Sequence, residues 1–146
     1  TEIERKFLVK SDTYKKIASK QYDIEQGFLN RHKYRTVRIR VKAQKGFLTV
    51  KGMSSEDGLS RLEWEKEIDL KDAQDLLKLC EGHIIHKTRY EIKVGNHLFE
   101  VDEFQGKHKG LVIAEIELQD ENESFEKPDW LGEEVTGQPE YYNSQL

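Results

Sequence analysis

The chain has 146 residues, a length suited to a single domain over 1–146, and a formal net charge of -4. Charged and hydrophobic residues each make up 36%, where an ordinary globular domain is about a quarter charged. The negative balance excludes a bulk basic surface for nucleic acid. No apolar run approaches the roughly 18 residues of a membrane-spanning helix and no leader is read, so no membrane partner is expected. The one cysteine, Cys80, excludes a disulfide framework and points to a reducing, cytoplasmic compartment.

The opening stretch, Glu2-Ile3-Glu4-Arg5-Lys6-Phe7-Leu8-Val9, predicts a strand whose side chains alternate between two faces. Glu2, Glu4 and Lys6 share one face. Ile3, Phe7 and Val9 share the other, with Arg5 among them. Carboxylates two residues apart on a strand are separated by about 7 Å, so both can serve one divalent cation with oxygen ligands near about 2.1 Å. Ser11 predicts the cap of a short helix over 12–19. Strands follow over 22–29, 34–42 and 47–51, the last two joined by a turn near Gln44-Lys45-Gly46. Within 34–42, Val37, Ile39 and Val41 alternate with Arg38, Arg40 and Lys42.

A loop of small and polar residues spans 52–58, and a long strand is predicted over 59–70. Arg61, Glu63, Glu65, Glu67 and Asp69 take one face of it, Leu62, Trp64, Ile68 and Leu70 the other. Residues 72–80 have helical spacing. The strand over 83–94 sets Lys87 and Arg89 against Tyr90, Ile92 and Val94, and Gly95-Asn96 marks a hairpin turn into 97–104. There Glu100 and Asp102 oppose Phe99 and Val101. In the strand over 111–119, Glu115 and Glu117 oppose Ala114, Ile116 and Leu118. A short helix is expected in the tail from about 122, and Pro139 is placed to open another over 140–146. The sum is an α+β chain with eight strands, a number suited to closing an antiparallel barrel.

Alternating charge ordinarily marks the wet face of a sheet. Here the charges are sorted by strand into Glu-Glu, Arg-Arg, Glu-Glu, Lys-Arg, Glu-Asp and Glu-Glu pairs, whereas a surface made for solubility mixes signs. The alternative is an inside-out barrel: charged faces line a lumen and apolar faces point outward beneath helices. Charges so enclosed cost several kcal/mol each if dry, so the lumen is expected to be wide, wet and filled by counter-charge. Cationic walls with facing carboxylates suit a polyanion accompanied by Mg²⁺ or Mn²⁺. No glycine-rich phosphate loop occurs, so phosphate must be bound by side chains.

Glu2-x-Glu4-x-Lys6 resembles the signature of the CYTH domain, the triphosphate tunnel metalloenzymes. Arg38-x-Arg40, Thr49-x-Lys51, Ser60-Arg61-x-Glu63-x-Glu65, Lys87-x-Arg89, Glu100-x-Asp102 and Glu115-x-Glu117 follow in that family's order. Gly132 to Thr136 and Tyr142-Asn143-Ser144 are similar to its C-terminal stretch. The resemblance implies a closed eight-stranded tunnel and metal-dependent chemistry on triphosphates. It implies Glu2, Glu4 and Glu117 as first-choice metal ligands, with Asp102, Glu115, Glu63 and Glu65 holding a second metal or placing water. Lys6, Arg38, Arg40, Lys51, Arg61, Lys87 and Arg89 would bind phosphate. Lys51 and Lys87 are candidates for proton transfer, since desolvation and neighbouring cations lower a lysine pKa. Among members, the chain is most similar to small bacterial inorganic triphosphatases. A class IV adenylate cyclase, a thiamine or nucleoside triphosphatase and a non-catalytic polyphosphate-binding module are the alternatives. A homodimer is compatible with the sequence.

Overall fold

The structure, a computed structural model, describes residues 2–142 and 146, the side chain of Glu2 excepted. The strands are β1 (Glu2–Val9), β2 (Lys20–His32), β3 (Arg35–Lys42), β4 (Lys45–Gly52), β5 (Ser60–Arg61), β6 (Glu63–Ile68), β7 (Glu81–Val94), β8 (His97–Phe104), β9 (Val112–Leu118) and β10 (Leu131–Glu134). The helices are α1 (Tyr14–Ile17) and α2 (Leu70–Leu77). They pair in the order β10-β1-β9-β8-β7-β2-β3-β4-β6, and β5 lies off this path on β1. Every pairing is antiparallel. Only Leu62 separates β5 from β6, so a segment that begins on β1 ends on β4. The sheet thereby curls into a nearly closed barrel.

The path has nine strands where eight were expected. The predicted strand over 59–70 splits at Leu62, because its first residues pair with β1 while the rest run along β4. β10 adds to β1 from a tail that shows no alternation. The tail helix expected from 122 does not form; Phe125 and Trp130 instead pack on the barrel from irregular chain. α1 is a single turn, cut short where Ala18 turns extended and Ser19 N–H reaches Glu91 O at 2.8 Å. Pro139–Tyr141 forms a 3₁₀ turn, and the rest of the helix expected to 146 falls largely outside the described residues. Among the described residues no helix is long and apolar enough to cross a membrane.

The barrel is inside out. Phe7, Tyr90, Ile92, Phe99, Val101 and Ile116 point outward into one apolar cluster, covered by Tyr14 of α1, Trp130 and Leu131. Ile39 lies in a second cluster under Ala73 and Leu77 of α2. Trp130 is buried in the first cluster, whereas Trp64 is half exposed, because α2 covers only the neighbouring part of the β3–β4 face. A third cluster was not foreseen. Phe28, Ile85, Phe104 and Ile113 alternate in phase with the charged residues, so they face the lumen and fill one end of it together with Leu146.

Arg5, the one charge on the outward face of β1, is explained by β10. Its Nε and Nη2 donate to the two carboxylate oxygens of Glu134 at 2.8 and 2.6 Å, and its guanidinium lies 5.0 Å from the Phe125 ring. Thr136 Oγ1 also donates to Glu134, at 2.7 Å. The hydrogen bonds from Arg5 hold the Glu134 carboxyl below its ordinary 4.5, against the opposing push of burial. A carboxylate depressed in the folded state stabilises above its unfolded value, and that contribution is lost as pH falls through the folded one. Glu134→Gln should therefore lower Tm by about 2–4 °C at neutral pH, the effect of about 1 kcal/mol for a partly exposed pair. The difference from wild type should shrink below about pH 4, and a thermal melt series across acid pH measures it.

Candidate functional site

The lumen holds a cavity of about 210 Å³ with a wall built strand by strand from the alternating charges. β1 supplies Glu4 and Lys6; β3 supplies Arg38, Arg40 and Lys42; β4 supplies Thr49 and Lys51. Arg61 comes from β5, Glu63 and Glu65 from β6, Arg89 from β7, Glu100 from β8, and Glu115 and Glu117 from β9. The period of two that separates charge from apolar residues in each strand is thus what places these side chains on one inner surface. Around the rim, Gly58 and Gly137 touch backbone to backbone. Both have left-handed φ, 76° and 77°, and a Cβ on Gly58 would lie 2.3 Å from Gly137 Cα. The contact joins the loop before β5 to the chain after β10.

Beneath the cavity lie Lys87 and Asp102, 1% and 2% exposed. Lys87 Nζ is 2.7 Å from Asp102 Oδ2, and Arg89 donates through Nε and Nη2 to both Asp102 oxygens at 2.7 and 2.8 Å. Burial pushes the Lys87 ammonium down to about 8; Asp102 pulls the other way and Arg89 adds to the fall. For Asp102, burial opposes ionisation, but Arg89 and Lys87 together hold the carboxyl well below the usual range. Arg89 is raised in turn, Asp102 outweighing its burial. The charges foreseen as bathed in a wide lumen are here sealed and paired, so this part of the lumen is narrow and dry.

The neighbouring wall, on β3 beyond β2, is short of counter-charge. Arg38 Nη2 and Arg40 Nη2 sit 3.6 and 3.5 Å from the same Glu65 oxygen, which also accepts a hydrogen bond from Thr49 Oγ1 at 2.6 Å. The Nε atoms of both arginines are buried without a hydrogen-bond partner. Burial lowers both guanidinium groups, with Arg40 and Arg89 adding to the effect on Arg38 and Arg89 to that on Arg40. A cluster so placed is relieved by an anion that accepts from planar forks.

Glu4 and Glu117 stand directly opposite one another across β1 and β9, and Lys6 opposite Glu115, with Nζ 3.5 Å from its carboxylate. Burial would keep Glu115 protonated, but Lys6, Arg89 and Lys87 hold its carboxyl below the usual range. Among the described residues no three carboxylate or imidazole groups form a ready metal cage. Mg²⁺ needs none: it keeps several waters and binds through one or two carboxylates together with substrate phosphates. Glu4 and Glu117 fit that requirement. The side chain of Glu2, the third expected ligand, lies outside the described residues.

Of the other expected site residues, Arg61 lines the cavity with Nε donating to Gly52 O at 3.1 Å. Glu63 and Glu65 line the cavity from β6, Glu65 with its side chain partly exposed. The sequence reading of the site passed over Lys42, Thr36, Phe28 and Tyr142, all of which line the cavity. Lys42 and Thr36 were legible, since they extend the Arg38-x-Arg40 alternation in both directions. Tyr142 was marked only by the resemblance of Tyr142-Asn143-Ser144 to the family's C-terminal stretch, with no role attached; it comes from the chain after β10, its ring 5.5 Å from Lys6 Nζ.

The sequence profile of the CYTH domain matches residues 1–144. An inorganic triphosphatase of Acetivibrio thermocellus is 52% identical over 146 residues, covering 99% of this chain and 92% of that protein. One from Nitrosomonas europaea is 38% identical over 150 residues, covering 100% and 96%. A crystal structure of an inorganic triphosphatase superposes with a TM-score of 0.69 at 33% identity, over 99% of this chain and 93% of that one.

Asp102→Ala should be strongly destabilising, by about 3–5 kcal/mol, because it removes the buried carboxylate on which both Lys87 and Arg89 close. Glu63→Gln, at a partly exposed residue, should stay within about 0.5 kcal/mol of wild type. Urea titration distinguishes them, and equal midpoints for the two variants would contradict the pairing.

Proposed function

Because the chain belongs to the CYTH family, we propose that it hydrolyses inorganic triphosphate to diphosphate and phosphate inside the charged cavity, assisted by Mg²⁺ or Mn²⁺. The observation that carries this reading is the convergence of Lys6, Arg38, Arg40, Lys51 and Arg61 on one small cavity that also presents Glu4 and Glu117. At about 210 Å³ the space is below the roughly 300 Å³ at which pockets for drug-sized ligands begin, which favours a bare polyphosphate over a nucleotide. The full-length similarity to two inorganic triphosphatases supports the same substrate.

The arginines of β3 grip phosphoryl oxygens by their forks, and Lys6, Lys51 and Arg61 complete the clamp from neighbouring strands. The triphosphate is thereby held extended, with its terminal phosphorus open to water. A metal ion held by Glu4 and Glu117, with Glu2, would neutralise phosphoryl oxygen charge. Water attacks the terminal phosphorus as the bond to the bridging oxygen breaks, and the electron pair leaves with diphosphate. No nucleophile signature is present, so direct attack by water is preferred to a phosphoenzyme. Of the two lysines proposed for proton transfer, Lys51 lines the cavity and is the one that can reach the leaving oxygen. Lys87, sealed under it with Asp102, adds to the cationic potential, and Asp102 orients Arg89. On this reading Asp102 serves the clamp rather than a metal.

With Mg²⁺ or Mn²⁺ the purified chain should release phosphate from tripolyphosphate well above its rate on ATP or thiamine triphosphate, with no cyclic AMP formed. A flat tripolyphosphate assay across both metals would reject the reading, and cyclic AMP would identify the cyclase alternative. Glu4→Ala should reduce turnover by about 10²-fold or more while the melting curve is retained, as for loss of a metal ligand or its support. Retained activity would remove Glu4 from the ligand set. Tripolyphosphate binding with no turnover in wild type would instead mark a binding module.

A further inference from the structure

Gln26 lies on the lumen-facing side of β2, behind the residues that line the cavity, with 0% of its surface exposed. Neither its Oε1 nor its Nε2 has a hydrogen-bond partner. Register settles which way it faces: Gln26 stands directly across from Arg40 of β3, and Phe28, two residues on, lines the cavity. On its other side it pairs with Ile85 of β7, next to the Ile24–Lys87 pair on the same face. Residues directly opposed in this way have Cβ atoms about 5 Å apart, and the diagonal to Lys87 is about 7–8 Å. Arg40 carries the complementary deficit, a buried Nε without a partner, while its Nη2 is held near Glu65. Orphaned atoms on two directly opposed side chains are costly in a folded chain, and such costs concentrate where a ligand is handled.

On the reading that this lumen hydrolyses inorganic triphosphate, we propose that Gln26 is a positioning residue that acts on the substrate through Arg40. Its Oε1 accepts from Arg40 Nε when the Arg40 fork takes a phosphoryl group of the triphosphate. This bond fixes the plane of the fork against that group. A neutral acceptor suits this place. Arg38, Arg40, Arg89 and Lys87 already crowd it, and a further cation would add repulsion without adding reach. The amide therefore contributes a hydrogen bond to a charged group, the stronger kind, with no added charge.

Gln26→Met keeps the length of the side chain and removes both polar atoms. Its melting temperature without ligand should equal or exceed that of wild type, since an unpaired buried amide is lost. Its kcat/KM for tripolyphosphate with Mg²⁺ should fall about tenfold or more, as for a lost hydrogen bond to a charged partner. The rise in melting temperature on adding tripolyphosphate without metal should shrink in parallel. Gln26→Glu, whose carboxylate would compete with phosphate for the Arg40 guanidinium, should lose at least as much activity. In the wild-type chain, the side-chain NH₂ resonances of Gln26 should shift when metal-free tripolyphosphate is titrated in, a readout independent of how any variant folds. Wild-type kcat/KM and thermal shift in Gln26→Met, or side-chain resonances unmoved at saturation, would overturn the proposal and leave Gln26 a packing residue or the host of a bridging water. A wild-type chain that neither binds nor hydrolyses tripolyphosphate would overturn the reading of the lumen itself, and this proposal with it.

Discussion

Two buried cations share one carboxylate at the base of the lumen: Lys87 and Arg89 both close on Asp102. Neither cation could remain charged there alone, because desolvation of a lone ammonium or guanidinium in a protein interior exceeds what folding can absorb. Arg89 also lies 3.3 Å from Glu100, so these two cations are matched by two acids. The surplus of positive charge lies in Arg38 and Arg40, which share Glu65 and whose guanidinium groups are pressed by burial and by Arg89. The field inside the barrel is therefore cationic along β3 and acidic around Glu4, Glu115 and Glu117. A polyanion with a divalent cation matches such a field at both ends.

Turning the charges inward obliges the apolar faces to be covered from outside. α2 covers Ile39 and its neighbours, and the chain around Trp130 covers Phe99 and Ile92. The cover is fastened at its edge by the bidentate pair of Arg5 and Glu134, which holds β10 on β1. The rim is fastened by the contact of Gly58 with Gly137. Function and stability thus meet in the same strands: each supplies a charge to the lumen at one residue and an apolar group to the shell at the next.

The lumen is not charged throughout. Ile85, Phe104 and Ile113 are in phase with Lys87, Asp102 and Glu115, and with Phe28 they fill one end. This plug confines charge to the remaining part of the lumen, and Phe28 is the member of it that lines the cavity. Gln26 sits between these regimes, on a strand whose neighbouring lumen-facing residues, Ile24 and Phe28, are apolar. A polar group left unsatisfied at such a boundary is a local conflict of the kind that functional sites retain.

The sorted charge pairs were enough to read an antiparallel barrel with a charged interior and to name the residues of its wall, because strand alternation is a local, period-two property of the backbone. Arg38, Arg40, Lys51, Glu115 and Glu117 line the cavity for that reason alone. Arg89 stands opposite Asp102 because the Gly95-Asn96 hairpin fixes that register, so this pair follows from the local pattern. Partners on strands distant in sequence were not legible: that Arg5 meets Glu134 depends on β10 pairing with β1, and that Arg61 joins the wall depends on the curvature that brings β5 back to β1. The strand count, the apolar plug and the contribution of Tyr142 likewise come from how the sheet closes. Local pattern determined which face each side chain takes; tertiary closure decided which side chains meet, because that depends on distances between segments far apart in the chain.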